Sequence, residues 1–113
     1  MRKVLLTILA LSLAAGMAAA ADTVTLKGIL MDKSCAVDMK MDAKTHETSC
    51  NQMADCAKSG FCVVTSEGKF VAFDAKGNKD AATWLKNTKE KSNLQVTVTG
   101  TMDRNVLKVA EIK

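Results

Sequence analysis

The sequence predicts a mainly β domain: a small five-stranded OB-like barrel with one helix between strands 3 and 4 and a cysteine-bearing connector between strands 1 and 2. Three observations lead there. Five runs rich in β-branched residues are set apart by turn signals. A single stretch has helical apolar spacing, and it falls between the third and fourth runs. That order of elements is the order of a small Greek-key barrel.

Thr23 to Met31, TVTLKGILM, reads as the first strand. Asp32 to Gly60 is polar, holds three of the four cysteines, and lacks strand alternation. Within it, Thr48 or Ser49 is placed to cap a short helix running to about Lys58, with Gly60 as its stop. Phe61 to Thr65 and Lys69 to Phe73 form a hairpin over Ser66-Glu67-Gly68, where the glycine accepts positive φ. Gly77-Asn78 then breaks the chain, and Asn78 or Asp80 caps a helix through about Lys91. Ala81, Trp84, Leu85 and Thr88 share one face of that helix, which puts Trp84 in the core. Leu94 to Thr101 alternates cleanly, Asp103-Arg104-Asn105 turns, and Val106 to Ile112 is the last strand. Gly28 and Gly100 suit bends that close a barrel. An open sheet packed on the helix is the rival architecture.

The N-terminus has the layout of a secretory signal peptide over residues 1–21. Arg2 and Lys3 are basic, Val4 to Ala15 is apolar, and Ala18 to Ala21 are small. The apolar run is shorter than the roughly 18 residues of a membrane span. Cleavage is expected after Ala20 or Ala21, leaving one domain over residues 22–113, periplasmic or secreted, with no stable membrane span. Losing Arg2 and Lys3 lowers the formal charge from +4 to +2. That balance argues against a dedicated polyanion binder, and Lys86, Lys89 and Lys91 read as a solvated helix face. Nucleic acid is not an expected partner either. Such barrels stack bases on aromatic side chains in a basic groove, whereas Phe61, Phe70 and Phe73 read as core.

The combination GILMDKSCA, a cysteine-bearing connector ending DCAKSG, then VVTSEGKFVAFDAKGNK, LQVTVTGTM and LKVAEI resembles a group of small exported bacterial proteins. The resemblance implies an OB-like barrel and an exported location. It supplies no catalytic residue.

Cys35, Cys50, Cys56 and Cys62 make disulfides the first expectation in an oxidising compartment. Four cysteines allow three pairings. If Cys50 to Cys56 is continuous helix, the two lie about 9 Å apart along the axis, beyond the roughly 7 Å a disulfide tolerates. Each must then pair with Cys35 or Cys62. The second expectation is a soft metal. His46 and Cys50 are spaced i, i+4, with Met39 and Met41 in the same connector and Met31 and Met53 nearby. Thiolate and thioether donors favour Cu(I), and cysteine with histidine suits Zn(II). Methionines in such a connector otherwise pack against a barrel mouth. A thiol enzyme is the third, with His46 the sole imidazole, although neither a C-x-x-C nor a C-x-x-C-H is present. In that loop His46 reads as a surface residue.

The resulting expectation is an exported, disulfide-stapled binding or structural module with no catalytic residue and no required cofactor. Its partner would be a small ligand, a metal or an envelope protein. The barrel mouth near the connector and the final hairpin is the place expected to receive it. Intact-mass measurement of the exported protein should show a chain beginning at Ala21 or Asp22; an exported chain retaining residues 1–20 contradicts the leader.

Overall fold

A computed structural model describes residues 23–113. The leader expected over residues 1–21 lies outside the described residues. The first strand, β1 (Thr23–Asp32), is flanked by two partners. β2 (Phe61–Thr65) and β4 (Gln95–Asp103) pair antiparallel with its two edges. β2 runs on to β3 (Phe70–Phe73), and β3 pairs in parallel with β5 (Val106–Ile112). β5 pairs with β4, closing a barrel in the order β1-β2-β3-β5-β4. The closed form, not the open sheet, is the architecture.

Closure depends on tight backbone approach at two glycines. Gly28 pairs with both Thr65 and Val96, so two strands press on it at once. A Cβ there would sit 2.3 Å from the Val64 carbonyl oxygen. At Gly100 the same atom would sit 2.2 Å from the Lys108 carbonyl oxygen, beside the register shift at Thr99/Gly100.

Strand alternation sorts β1 and β2 into two faces. Leu30, Phe61 and Val63 point inward with Val96, Val98, Leu107 and Val109. The helix α3 (Ala75–Asn87) covers one end through Ala81 and Leu85, with Trp84 packed at the edge as expected from its helical face. Phe61 and Phe73 belong to this core, but Phe70 is 49% exposed. Its opposite parity to Phe73 on a four-residue strand sends it outward, which corrects its assignment to the core.

α3 begins and ends earlier than the sequence suggests. Asp74, not Asn78 or Asp80, caps it, accepting the Gly77 N–H at 2.9 Å and the Val109 N–H at 3.2 Å. Gly77 therefore lies inside the first turns and is buried. A Cβ there would be 2.4 Å from Val109 Cγ2 and 2.8 Å from Phe73 Cβ. Glycine at this point lets the helix lie directly on β5; it does not break the chain. Beyond Asn87 the segment leaves the helix, so Lys89 and Lys91 do not share a helix face with Lys86. Instead the Lys91 carbonyl accepts the Thr48 N–H at 2.7 Å, and the Glu90 carbonyl accepts the Thr48 hydroxyl at 2.7 Å.

The connector differs most from expectation. A five-residue π-helical turn, Ser34–Asp38, follows β1. The single helix expected up to Lys58 is two, α1 (Thr48–Asn51) and α2 (Ala54–Lys58), separated where Met53 adopts extended φ/ψ. Glu47, with no side-chain cap bond, stands at the N-cap of α1, because the Thr48 hydroxyl is already engaged with Glu90. The folded connector covers the outer face of β1 and β2. There Met31, Cys35, Ala36 and Cys62 form a second buried cluster, flanked by Ile29, Ala43, Cys56 and Val64.

Gly77→Ala tests the packing of α3 on β5. In an open helix this change adds up to about 1 kcal/mol of helix propensity. Here the overpacking should instead lower stability by about 1–3 kcal/mol, measured by urea denaturation monitored through Trp84 fluorescence; an increase in stability would contradict the close approach.

Candidate functional site

The last residue of β1 anchors the site. Asp32 is fully buried, and three segments of the connector converge on it. Its own N–H donates to Asn51 Oδ1 of α1 at 2.9 Å. Its Oδ2 accepts the Cys35 N–H at 2.9 Å, closing the first turn of the π-helix. Its Oδ1 lies 2.9 Å from Nε2 of His46. A carboxylate only accepts, so Nε2 is the donor. Lys33 N–H to the Gly60 carbonyl, at 2.9 Å, and Ser34 N–H to Ser59 Oγ, at 3.1 Å, tie the two ends of the connector together.

His46 is 3% exposed. Its expected place on the surface is thus corrected: the buried carboxylate at the end of β1 draws the imidazole in as its counter-group. Among the described residues, two buried side-chain atoms have no hydrogen-bond partner, Nδ1 of His46 and Nδ2 of Asn51. Both belong to residues that bond to Asp32. Unpaired buried polar atoms are uncommon in folded proteins.

Next to this hub the sulfur atoms gather. One Asp32 carboxylate oxygen, Cys35 Sγ and Cys56 Sγ lie within 4.8 Å of one another, the one such group of metal-ligating His, Cys, Asp or Glu atoms among the described residues. The two sulfurs are 4.1 Å apart. Cys35 is buried and Cys56 partly exposed. Cys62 is buried in the same outer cluster, while Cys50, on α1, lies outside it.

All four cysteines are free thiols in this structure. The expected disulfide framework is therefore not formed, since a bonded pair would bring the sulfurs to about 2.05 Å. The break at Met53 also removes the continuous helix on which the exclusion of Cys50 with Cys56 rested. The donors expected from sequence for a metal fall in different settings: His46 is buried against Asp32, and Cys50 is partly exposed on α1. Met39 and Met41 are 64% and 42% exposed, and Met53 is 58% exposed, so only Met31 packs against the barrel wall. Asp32 and Asn51 were not anticipated. Asp32 looks like a turn residue after a strand; the one signal in the sequence is its spacing of three from Cys35, which places both on one helical turn.

Burial sets the chemistry of the thiols. Cys35 is pushed up to about 12, first by loss of hydration, then by the adjoining Asp32 carboxylate and by Cys56. Cys62 is likewise raised to about 12 by burial and the Asp32 charge, with Lys33 pulling the other way. Neither is poised as a free nucleophile, which requires a depressed thiol pKa.

An open groove of about 680 Å³ lies beside the connector, lined by apolar Ile29 and Val64 together with Lys27, Asp42 and Lys44. Neither Cys35 nor Cys56 lines it, and neither does the turn between β4 and β5. The groove adjoins the sulfur cluster through Ile29, Ala43 and Val64 but does not expose its thiols.

Fold and site together define a small closed barrel whose outer wall carries a connector pinned at a buried aspartate, with two thiols beside it. No protein-family model, curated protein or solved structure matches the chain.

The raised thiols give the protein an alkaline limit. Unfolded, Cys35 and Cys62 would ionise near 9.0; folded, they hold their protons to about 12. Between those values the unfolded chain binds fewer protons, so stability falls as pH rises. The Tm of the reduced protein should be insensitive to these groups below pH 9 and decline from pH 9 to 11. Iodoacetamide applied to the native protein at pH 8 should modify Cys56 before Cys35 or Cys62.

Proposed function

We propose that the protein is an exported metal-binding module in which Asp32, Cys35 and Cys56 hold a thiophilic divalent cation, Zn(II) in chemical class. The observation that supports this is the convergence of one carboxylate oxygen and two sulfurs within 4.8 Å, with Asp32 and Cys35 buried and Cys56 partly exposed. Two thiolates bound tetrahedrally to zinc, each with a Zn–S distance of about 2.3 Å, stand about 3.8 Å apart. The 4.1 Å between Cys35 and Cys56 is close to that separation and twice a disulfide bond length.

The donor set favours Zn(II) over Cu(I), because a carboxylate is a hard ligand and Cu(I) prefers sulfur alone. Asp32 has the capacity: each carboxylate oxygen already accepts one hydrogen bond and retains a lone pair. His46 would then orient the ligating carboxylate from behind, a role in which loss of the partner typically costs 10–100-fold in affinity. Three protein ligands leave a fourth position, and partly exposed Cys56 puts it on the solvent side. The exported location rests on the N-terminal leader.

Anaerobic titration of the reduced protein with Co(II), followed by Zn(II) competition, tests the reading. One equivalent should bind, with thiolate-to-Co(II) charge-transfer absorption. Cys35→Ser and Cys56→Ser should each weaken binding at least about 100-fold and His46→Ala about 10–100-fold. Met39→Ala, Met41→Ala and Cys50→Ser should leave it unchanged. Binding that survives loss of both Cys35 and Cys56 would sink the assignment.

A further inference from the structure

We propose that Cys35 and Cys56 are also a dithiol–disulfide couple. Cys56 is the sulfur that meets an external disulfide, Cys35 is the one that resolves it, and oxidation excludes the metal. The last clause rests on the metal-binding reading; the couple itself does not.

Access assigns the roles. Cys56 is partly exposed, whereas Cys35 is 5% exposed beneath the connector. Of the pair, only Cys56 can be reached by a second molecule without opening the fold. Cys35 is also the better-held partner, with its N–H bonded to Asp32 and its side chain packed among Met31, Ala36 and Cys62.

The sulfurs must close by about 2 Å to bond, from 4.1 Å to the roughly 2.05 Å of a disulfide. The element that can give is α2. It has five residues and none of them is buried. It is bounded by the extended Met53 on one side and by Gly60, at φ +90°, on the other. The π-helical turn bearing Cys35 is a second irregular element, of a kind frequent at functional sites. Cys50 lies outside the cluster. Cys62 shares it but is buried on β2 at 1% exposure, so it offers no route from solvent.

The chemistry balances with an oxidant of the small-molecule or protein disulfide class, R–S–S–R. The Cys56 thiolate attacks one sulfur of R–S–S–R, forming a mixed disulfide and releasing R–S⁻. The Cys35 sulfur, held beside it and passing its proton to the departed R–S⁻, then attacks the Cys56 sulfur, forming the Cys35–Cys56 bond and releasing the second R–S⁻. Two electrons pass from the protein dithiol to the oxidant, and the two thiol protons end on the two departing thiolates. Disulfide sulfurs are no longer thiolate donors, so Zn(II) loses two of its three protein ligands.

The test uses the full-length reduced protein, with and without one equivalent of Zn(II), treated with oxidised glutathione and digested with trypsin without reduction. Cleavage after Lys33, Lys40, Lys44, Lys58 and Lys69 separates Cys35 (residues 34–40), Cys50 with Cys56 (45–58) and Cys62 (59–69). The expected product joins peptide 34–40 to peptide 45–58, and the link persists in Cys50→Ser. In Cys35→Ser, glutathione should remain on Cys56. In Cys56→Ser, Cys35 should react at least about tenfold more slowly. Wild-type mapping needs no variant, so a misfolded variant does not shelter the proposal. Any product joining Cys35 to Cys62, or glutathione first on Cys35, overturns the couple. No disulfide formed in the metal-free protein, with Zn(II) still bound when it is supplied, overturns it while leaving the metal site standing. A Cys35–Cys56 disulfide in a protein that binds no Zn(II) when reduced upholds the couple and removes the metal reading.

Discussion

The structure depends on one buried carboxylate. Asp32 closes β1 at full burial, and an ionised group moved out of water costs several kcal/mol unless its oxygens are satisfied. Barrel closure puts it there. β1 must extend to Asp32 to pair with Phe61 of β2, and the connector must then return across the same strand ends. The backbone of Cys35 and the ring of His46 satisfy the carboxylate, while the Asp32 N–H is taken by Asn51. These three groups come from three separate parts of the connector. The connector is thereby folded by the demands of a strand end, and the strand end is tolerated only because the connector folds.

That reciprocity explains how a segment with so little apolar surface is held. The barrel interior is filled by Leu30, Phe61, Val63, Val98 and Leu107, the ordinary means of stabilising a small domain. The connector contributes little more than Cys35 and Ala36 as buried apolar groups, with Ala43, Cys56 and Ala57 partly covered. Its attachment is mostly polar and backbone-directed, through Asp32, through Lys33 to Gly60, and through Thr48 to Glu90 and Lys91. Net hydrogen bonds of this kind are worth about 0.5–1.5 kcal/mol each. The connector is accordingly the less stable layer, and it is the layer that holds the chemistry.

The barrel was legible in the sequence because period-two alternation and turn glycines are local signals, and β2 and β5 fall where alternation places them. α3 was legible in kind but not in its bounds. Gly77 has the local signature of a breaker, and only contact with Val109 and Phe73 reveals why a glycine sits inside the helix. Phe70 could be placed by parity relative to Phe73, but its inward or outward sense depended on which partner strand covered it. The sulfur site was half legible. The cysteines and His46 were visible as candidates, but Asp32 was hidden by resembling a turn residue. Spacing linked His46 to Cys50 along a helix, whereas the fold links it to Asp32 across 14 residues. Long-range convergence of this sort leaves no periodic trace.

The position of the two thiols also bears on what a cross-link there could do, whether through a metal or a disulfide bond. α1 has Asn51 buried against Asp32, so the fold already fixes it. α2 has no buried residue and is far shorter than a helix that persists alone in water. A link at Cys50 would restrain an element already held. A link between Cys35 and Cys56 closes a loop of about 20 residues around the weakest part of the connector, worth about 3 kcal/mol in the chain-entropy account. It also returns the chain to the turn that Asp32 orders. The cross-link of greatest mechanical consequence is thus the one whose ends the buried carboxylate already brings together.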